Sequence, residues 1–158
     1  KFLGENKIGE IVCKTPGKFK GYYKSNDLNK NSNFNGYFKT GDLGYLNKKY
    51  LYFKSRMKNI IRKSGITIYP EDIEKVFIDD KNIKEVAVIG KEFKDKTIIF
   101  LFIVKNKEIG PAYIKNICIK KLSKFQFPDK IIFKKNFPKT NLGKINKIKL
   151  LRSSGNFF

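Results

Sequence analysis

The chain has 158 residues and a formal net charge of +21, and 41% of its residues are hydrophobic and 15% aromatic. This apolar share argues against a disordered chain in spite of the high charge. The sequence contains no histidine and only two cysteines, Cys13 and Cys118. These counts exclude imidazole metal sites and Ser-His or Cys-His nucleophile pairs, and they indicate neither a disulfide framework nor a zinc site.

The positive charge is spread along the chain rather than gathered in one basic block. Lysine is scattered together with Asn and Ile, which is typical of compositional bias, so a nucleic-acid partner is not expected. No apolar run approaches the roughly 18 residues of a membrane span, and no signal peptide opens the chain, so we expect a cytoplasmic protein. The sequence begins without an initiator Met, and residues 1–4 read as the middle of a longer sequence. We therefore expect the chain to be part of a longer protein.

Short strands and turns alternate through the first third of the sequence, and this pattern predicts a small β subdomain. The predicted elements are strands at residues 8–13 and 19–23, a surface loop at 25–36, and a hairpin of strands 43–46 and 50–53.

Apolar strands and amphipathic helices alternate in the remainder of the sequence. Pro70 suits the first turn of a helix, and the acidic Glu71 and Asp72 favour its dipole. The predicted order is β-β-α-β-β-α-β-α, which is an α+β domain. Its elements are strands at 59–62, 66–68, 86–89, 98–104 and 130–133, helices at 70–77, 111–122 (with an apolar stripe of Ile114, Ile117 and Leu122) and 146–151, and a loop at 136–144.

Three segments carry side chains that are suited to binding or catalysis. The first is GYFKTGDLG at residues 36–44. A carboxylate after a Thr-Gly turn, here Asp42, can accept hydrogen bonds from a vicinal diol such as that of ribose. Gly41 lets the backbone turn closely beneath it. The same segment also fits a β-turn in which the Asp caps its own backbone.

The second segment begins with SRMK at residues 55–58. Arg56 has fixed donors that can reach a diol or a phosphate. Lys58 lies where the strand-rich half meets the α+β half, and a hinge is expected at such a change. A surface Arg and Lys in a plain linker is the alternative.

The third segment is PKTNLGKI at residues 138–145. Lys144, in a loop that contains Gly, can enter a site with two anions and neutralise the repulsion as a carboxylate attacks a phosphate. In a chain so rich in lysine, one more surface lysine is the alternative.

The order and spacing of these segments resemble the acyl-CoA synthetase branch of the acyl-adenylate-forming ligases, over residues 8–151. The resemblance implies an α+β fold in which a small β subdomain precedes a compact α+β C-terminal domain. The implied domains are the last β subdomain of an AMP-binding N-terminal domain at 1–55, a mobile C-terminal domain at 56–152 and a tail at 153–158.

The resemblance also implies an ATP-dependent activation of a small carboxylic acid as acyl-AMP, followed by transfer to CoA or to an acyl carrier protein. Mg²⁺ would be bound mainly by the N-terminal domain, whose phosphate loop and acyl pocket are absent from this sequence, so the chain alone is expected to be inactive and to hold no metal. The implied roles are nucleotide binding for Asp42, Arg56 and Thr40, the hinge for Lys58, an approach to pantetheine for Gly65, and catalysis of adenylation for Lys144.

Two residues depart from the family pattern: Ser55 replaces a Gly, and Lys147 replaces an Arg that often follows the catalytic lysine. The stretch 91–96 is also shorter than in the family. Fatty-acid metabolism is the setting that the resemblance implies. The alternatives are an amino-acid-adenylating domain that loads a carrier protein, a non-catalytic basic module that binds nucleic acid, and a detached domain that completes a separately encoded partner.

Overall fold

The computed structural model describes residues 1–17 and 20–154. The chain divides into two compact units, Lys1–Lys58 and Asn59–Phe158. The domain limits inferred from the sequence, at residues 55/56 and 152/153, stay predictions.

The first unit is an antiparallel sheet built around one long central strand. The predicted hairpin is confirmed, with longer strands and a tight turn at Lys48 and Lys49, whose φ angles are 46° and 69°. Two successive positive φ angles give the twist that a short hairpin needs. The strands are β1 (Gly9–Cys13), β2 (Asn33–Phe34), β3 (Tyr37–Asn47) and β4 (Tyr50–Arg56), with β1 on one edge of β3 and both β2 and β4 on the other.

Two predictions for this unit are wrong. The stretch 25–36 is not a plain loop, because it forms α1 (Asn26–Asn31) and then β2. The side chain of Asn29 accepts a hydrogen bond from the Tyr22 amide at 2.6 Å and donates to the Tyr22 carbonyl at 3.0 Å, which ties α1 to the preceding segment. That segment is not a strand over residues 20–23, and Phe19, where the predicted strand began, lies outside the described residues.

The second unit has the element order β-β-α-β-β-α-β-α that the sequence predicts. The predicted loop at 136–144 is also confirmed as lying outside helices and strands. The elements are β5 (Ile61–Lys63), β6 (Ile66–Ile68), α2 (Pro70–Ile78), β7 (Ile83–Phe93), β8 (Lys96–Lys105), α3 (Pro111–Lys121), β9 (Lys130–Lys134) and α4 (Lys147–Arg152).

The core of the second unit forms on both faces of the sheet β7-β8-β9, in which β9 runs parallel to β8. The central strand β8 is apolar from Ile98 to Val104 because both of its faces are covered there. Its Ile99, Leu101 and Ile103 pack with α2 and α3, whereas Phe100, Phe102 and Val104 pack with Phe137 and Leu150.

Helix α3 packs its predicted apolar stripe against the core. Ile114 is fully buried as predicted, but Ile117 and Leu122 are only half-buried, and Cys118 takes the second buried position. Burial raises the pKa of the Cys118 thiol to about 11, so this residue acts as a small apolar side chain. Among the described residues, no helix combines the length and apolar character that a membrane span requires.

Candidate functional site

The first candidate segment lies in a bulge of β3. The pairing of β1 with β3 passes from Glu10↔Leu43 to Val12↔Lys39, so Ile11 alone faces the three residues from Thr40 to Asp42. The Thr40 hydroxyl donates to the Ile11 carbonyl at 2.7 Å and accepts from the Asp42 amide at 3.1 Å. Bulges commonly redirect a side chain next to a functional site, and this bulge redirects Asp42.

Asp42 and Arg56 form the central pair of the first unit. They are direct partners in the pairing of β3 with β4, and Arg56 Nη1 lies 3.1 Å from Asp42 Oδ1. The side chains are 29% exposed for Asp42 and 48% exposed for Arg56. A partly open carboxylate beside a guanidinium can accept hydrogen bonds from one hydroxyl of a diol while the guanidinium donates to another.

The turn beneath this pair depends on a glycine. Gly41 has a φ of 72°, and a Cβ added there would meet Arg56 Nη2 at 3.9 Å. This left-handed conformation favours glycine because it places a Cβ close to the following carbonyl. The turn is therefore held by backbone conformation as well as by the Thr40 hydroxyl.

Glu10 is a further part of this site and was not predicted from the sequence. Its Oε1 accepts a hydrogen bond from the Gly41 amide at 3.2 Å, and its Oε2 lies 3.5 Å from Lys39 Nζ. The carboxylate thus fixes the bulge from the β1 side. The sequence signal for Glu10 is weak, because it is a single acidic residue within a predicted strand.

Lys58 lies at the end of the first unit. It is the middle residue of a single 3₁₀ turn, Met57–Asn59, and its side chain is exposed. The division between the two units falls directly after it.

Gly65 lies at the tip of the β5-β6 hairpin in the second unit. Ser64 and Gly65 make the turn with φ angles of 51° and 76°, and Gly65 is exposed. The hairpin is attached to the sheet by Lys63, whose Nζ donates to both oxygens of Asp129 at 2.8 and 2.7 Å, and by Thr97, which donates to the Arg62 carbonyl at 2.7 Å.

Lys144 follows directly after a tight turn within the loop that contains it. The Gly143 amide donates to the Thr140 carbonyl at 2.9 Å, and the Thr140 amide donates to the Lys144 carbonyl at 2.7 Å. With Gly143 at a φ of 76°, this is the turn in which a left-handed glycine follows a type I turn. A bridge between Lys139 and Ile145 closes its base. The backbone of Lys144 is therefore fixed, while its side chain is exposed.

The six predicted site residues thus fall into four places. Thr40, Asp42 and Arg56 come together in the first unit, Lys58 ends that unit, and Gly65 and Lys144 lie in two different hairpins of the second. The described residues contain no group of three or more Cys, Asp or Glu side chains that could hold a metal ion.

Comparison with known proteins agrees with the sequence resemblance. Residues 72–144 match the family model of the AMP-binding enzyme C-terminal domain. Residues 72–144 belong to that family. The 2-succinylbenzoate–CoA ligase of Enterococcus faecalis is 35% identical over 144 residues, which cover 90% of this chain and 30% of the relative. The long-chain-fatty-acid–CoA ligase FadD13 of Mycobacterium tuberculosis is 33% identical over 148 residues, which cover 92% of this chain and 29% of that enzyme.

A solved structure has a similar fold. The O-succinylbenzoate coenzyme A synthetase of Bacillus subtilis, in complex with ATP and a magnesium ion, matches with a TM-score of 0.84 and 29% identity, over 96% of this chain and 32% of that one. The resemblance to acyl-adenylate-forming ligases and the α+β fold of the AMP-binding C-terminal domain are confirmed. The chain spans about 30% of the length of the curated relatives. These relatives are CoA ligases, so they do not favour the carrier-protein or nucleic-acid alternatives.

Proposed function

We propose that this chain acts as the C-terminal part of an ATP-dependent acyl-CoA synthetase. In the first half-reaction, a carboxylate oxygen bonds to the α-phosphorus of ATP and pyrophosphate leaves, which gives acyl-AMP. In the second, the sulfur of a thiol bonds to the acyl carbon, and AMP and the thiol proton leave, which gives the thioester. Lys144 serves the first half-reaction, and Gly65 lies on the pantetheine side in the second.

The observation that carries this proposal is the pairing of Asp42 with Arg56. The two residues lie 14 positions apart, and the hairpin places them opposite each other beside the turn at Gly41. Asp42 accepts hydrogen bonds from the ribose hydroxyls of ATP and of acyl-AMP, and Arg56 donates to the same ribose. Thr40 holds the Asp42 backbone in position through its hydroxyl.

The apolar surface of the first unit supports its role as the last subdomain of a larger domain. Among its described residues, the apolar side chains are half-buried or exposed, for example Tyr50 at 71%, Phe53 at 58% and Phe2 at 61%. Exposed apolar surface of this kind marks an interaction site. We therefore propose that an AMP-binding N-terminal domain covers it and supplies the phosphate loop, the Mg²⁺ ligands and the acyl pocket.

Lys144 is suited to adenylation by its charge and by its fixed backbone. Attack of a carboxylate on a phosphate brings two anions together, and a positioned cation stabilises the charge in the transition state. The turn at Gly143 fixes the backbone of Lys144, so little conformational entropy is lost there when the substrates bind. Lys58 is the hinge about which the residues from 59 onward turn between the half-reactions.

CoA is the proposed acceptor, and the cytoplasm is the proposed location. The relatives named above are CoA ligases for 2-succinylbenzoate and for long-chain fatty acids. A fatty acid is therefore one class of substrate that fits the proposal, with fatty-acid metabolism as its setting.

A chimaera tests the proposal in an active enzyme. Residues 1–158 replace the matching 32% of the B. subtilis synthetase, and the two half-reactions are measured separately, by pyrophosphate release and by thioester formation from supplied acyl-AMP. Lys144→Ala should slow adenylation by about a hundredfold to a thousandfold and leave the second step intact. The matched control is Lys107→Ala, an exposed lysine in another loop. Equal adenylation by the Lys144→Ala variant and its parent would overturn the assignment.

A further inference from the structure

An ion pair closes the outer edge of the sheet in the second unit. Strand β7 lies at the edge of the order β7-β8-β9. The Val88 amide donates to Glu74 Oε1 at 2.7 Å, and Lys147 Nζ donates to the Val88 carbonyl at 3.1 Å. Lys147 Nζ also lies 3.1 Å from Glu74 Oε1. The two side chains thus bind both polar groups of Val88, as a neighbouring strand would do.

This ion pair lies next to the loop of Lys144. Lys147 is the first residue of α4 and follows Lys144 by three positions. The loop closes at its base, where the Asn146 amide donates to the Pro138 carbonyl at 2.7 Å. A shift of the start of α4 relative to β7 therefore moves the base of the loop and Lys144 with it.

Helix α4 needs such an attachment because it has only six residues. A helix of this length is not stable by itself in water. Leu150 anchors its far side in the core with 0% exposure, and the ion pair holds its first turn. The side chains of Lys147 and Glu74 are 28% and 19% exposed, whereas Glu108 of the pair Lys105–Glu108 is 89% exposed. Partly buried charges on fixed partners hold their geometry better than such a surface pair.

We infer that Glu74 and Lys147 are positioning residues that hold the Lys144 loop against β7. The catalytic meaning of this inference rests on the proposed function of Lys144. Glu74 belongs to α2 and Lys147 to α4, so the pair joins two helices across the edge of one strand. Lys147 stands where the family often has Arg, and an Arg at this position can reach the same carboxylate.

Amide hydrogen exchange on the chain itself tests the positioning. We compare the wild type with Glu74→Gln and Lys147→Met, with Lys147→Arg as the conservative replacement. Glu108→Gln and Lys105→Met are the matched controls at the exposed pair. We expect the amides of Thr140, Gly143 and Asn146 to exchange about tenfold faster in the first two variants, and at the wild-type rate in Lys147→Arg and in the controls.

Wild-type exchange of these amides in folded Glu74→Gln would overturn the inference. Glu74→Gln keeps the side-chain size and an oxygen for the Val88 amide, so it decides the question even where Lys147→Met does not fold.

The chimaera then separates this inference from the proposed function. Glu74→Gln and Lys147→Met should lower the kcat of adenylation by about tenfold to a hundredfold with little change in the KM for ATP, and Lys147→Arg should restore it. Parental adenylation in both variants, together with a loss in Lys144→Ala, would overturn the inference and leave the proposed function standing. Parental adenylation in Lys144→Ala would overturn the proposed function, and the exchange rates would still decide whether the pair holds the loop.

Discussion

Asp42 and Arg56 face each other across the β3-β4 hairpin, with Arg56 Nη1 3.1 Å from Asp42 Oδ1. This register depends on a bulge in the hairpin between Leu43 and Gly44, opposite Phe53 and Ser55. Without the extra residue in β4, the guanidinium would lie on the opposite face of the sheet from the carboxylate, because side chains alternate along a strand. The bulge therefore determines whether the two groups can share one ligand.

Asp42→Ala should weaken the binding of ATP to the chimaera through the loss of hydrogen bonds to the ribose. Hydrogen bonds to a charged group contribute about 1.5 to 3 kcal/mol. A double-mutant cycle with ATP and 2′,3′-dideoxy-ATP measures the coupling by calorimetry, and Asp27→Ala, on the exposed face of α1, is the control. Additive effects of the variant and the analogue would show that Asp42 only caps its turn.

Lys58→Pro should slow thioester formation and spare adenylation. Proline fixes φ near −65°, which the 3₁₀ turn Met57–Asn59 already accommodates, so the fold should persist while rotation at this residue is blocked. We expect the second half-reaction of the chimaera to slow by at least about tenfold. Lys58→Ala, which leaves φ free, should keep both rates. Wild-type rates in the proline variant would mean that the chain does not turn at this residue.

The contact between Asp80 and Tyr113 should make the stability of the second unit depend on pH. The Tyr113 hydroxyl donates to Asp80 Oδ2 at 2.7 Å, and the backbone N–H of Asn82 donates to Asp80 Oδ1 at 2.9 Å. Burial works to raise the pKa of Asp80, but these hydrogen bonds outweigh it, and the pKa is lowered. Because the pKa of Asp80 is lower in the folded state than in the unfolded chain, its carboxylate stabilises the fold at pH values above about 4, the pKa in the unfolded chain. This stabilisation is lost as the pH falls through the pKa of Asp80 in the folded state.

Urea unfolding of the chain between pH 3 and pH 7 measures this effect. Asp80→Asn should be less stable than the wild type at neutral pH, and the difference should shrink as the pH falls below about 4. Asp79→Asn, the exposed neighbouring residue, is the control. A difference that stays constant over the whole range would show that the ionisation of Asp80 contributes nothing.

The chain by itself should bind ATP weakly and through general charge attraction. It offers the ribose one carboxylate and one guanidinium, which already bind each other, while its net charge of +21 attracts any polyanion. Such attraction is screened by salt. Calorimetry should therefore find a Kd of about 1 mM or weaker at physiological ionic strength, with ATP and inorganic triphosphate bound equally. Tight binding that is specific for adenine and resistant to salt would contradict this prediction.

The second unit could be predicted from the sequence because its signals are strong. Pro70 and Pro111 mark two helix starts, and the apolar run of β8 is long enough to indicate burial on both faces. The elements around these residues follow in the predicted order.

The missed features depend on contacts that leave little trace in the sequence. Helix α1 has no buried residue, so it has no apolar periodicity to reveal it, and it depends on the local hydrogen bonds of Asn29. Glu10 and the Glu74–Lys147 pair were not predicted for a different reason. With 35 basic and 14 acidic residues, a sequence does not indicate which opposite charges meet.

The turn at Lys48 and Lys49 has a practical consequence for protein engineering. Both lysines occupy the left-handed region, where a side chain with a Cβ is strained and where Asn-Gly is preferred in a two-residue turn. Lys94 has the same conformation, with a φ of 52°, in the turn between β7 and β8. The lysine-rich composition thus places poorly suited residues at solvent-exposed turns, and the Lys48-Lys49 turn lies at the other end of the β3-β4 hairpin from Asp42 and Arg56. Replacing Lys48 and Lys49 with Asn-Gly is therefore expected to raise the thermal stability of the first unit without changing Asp42 or Arg56.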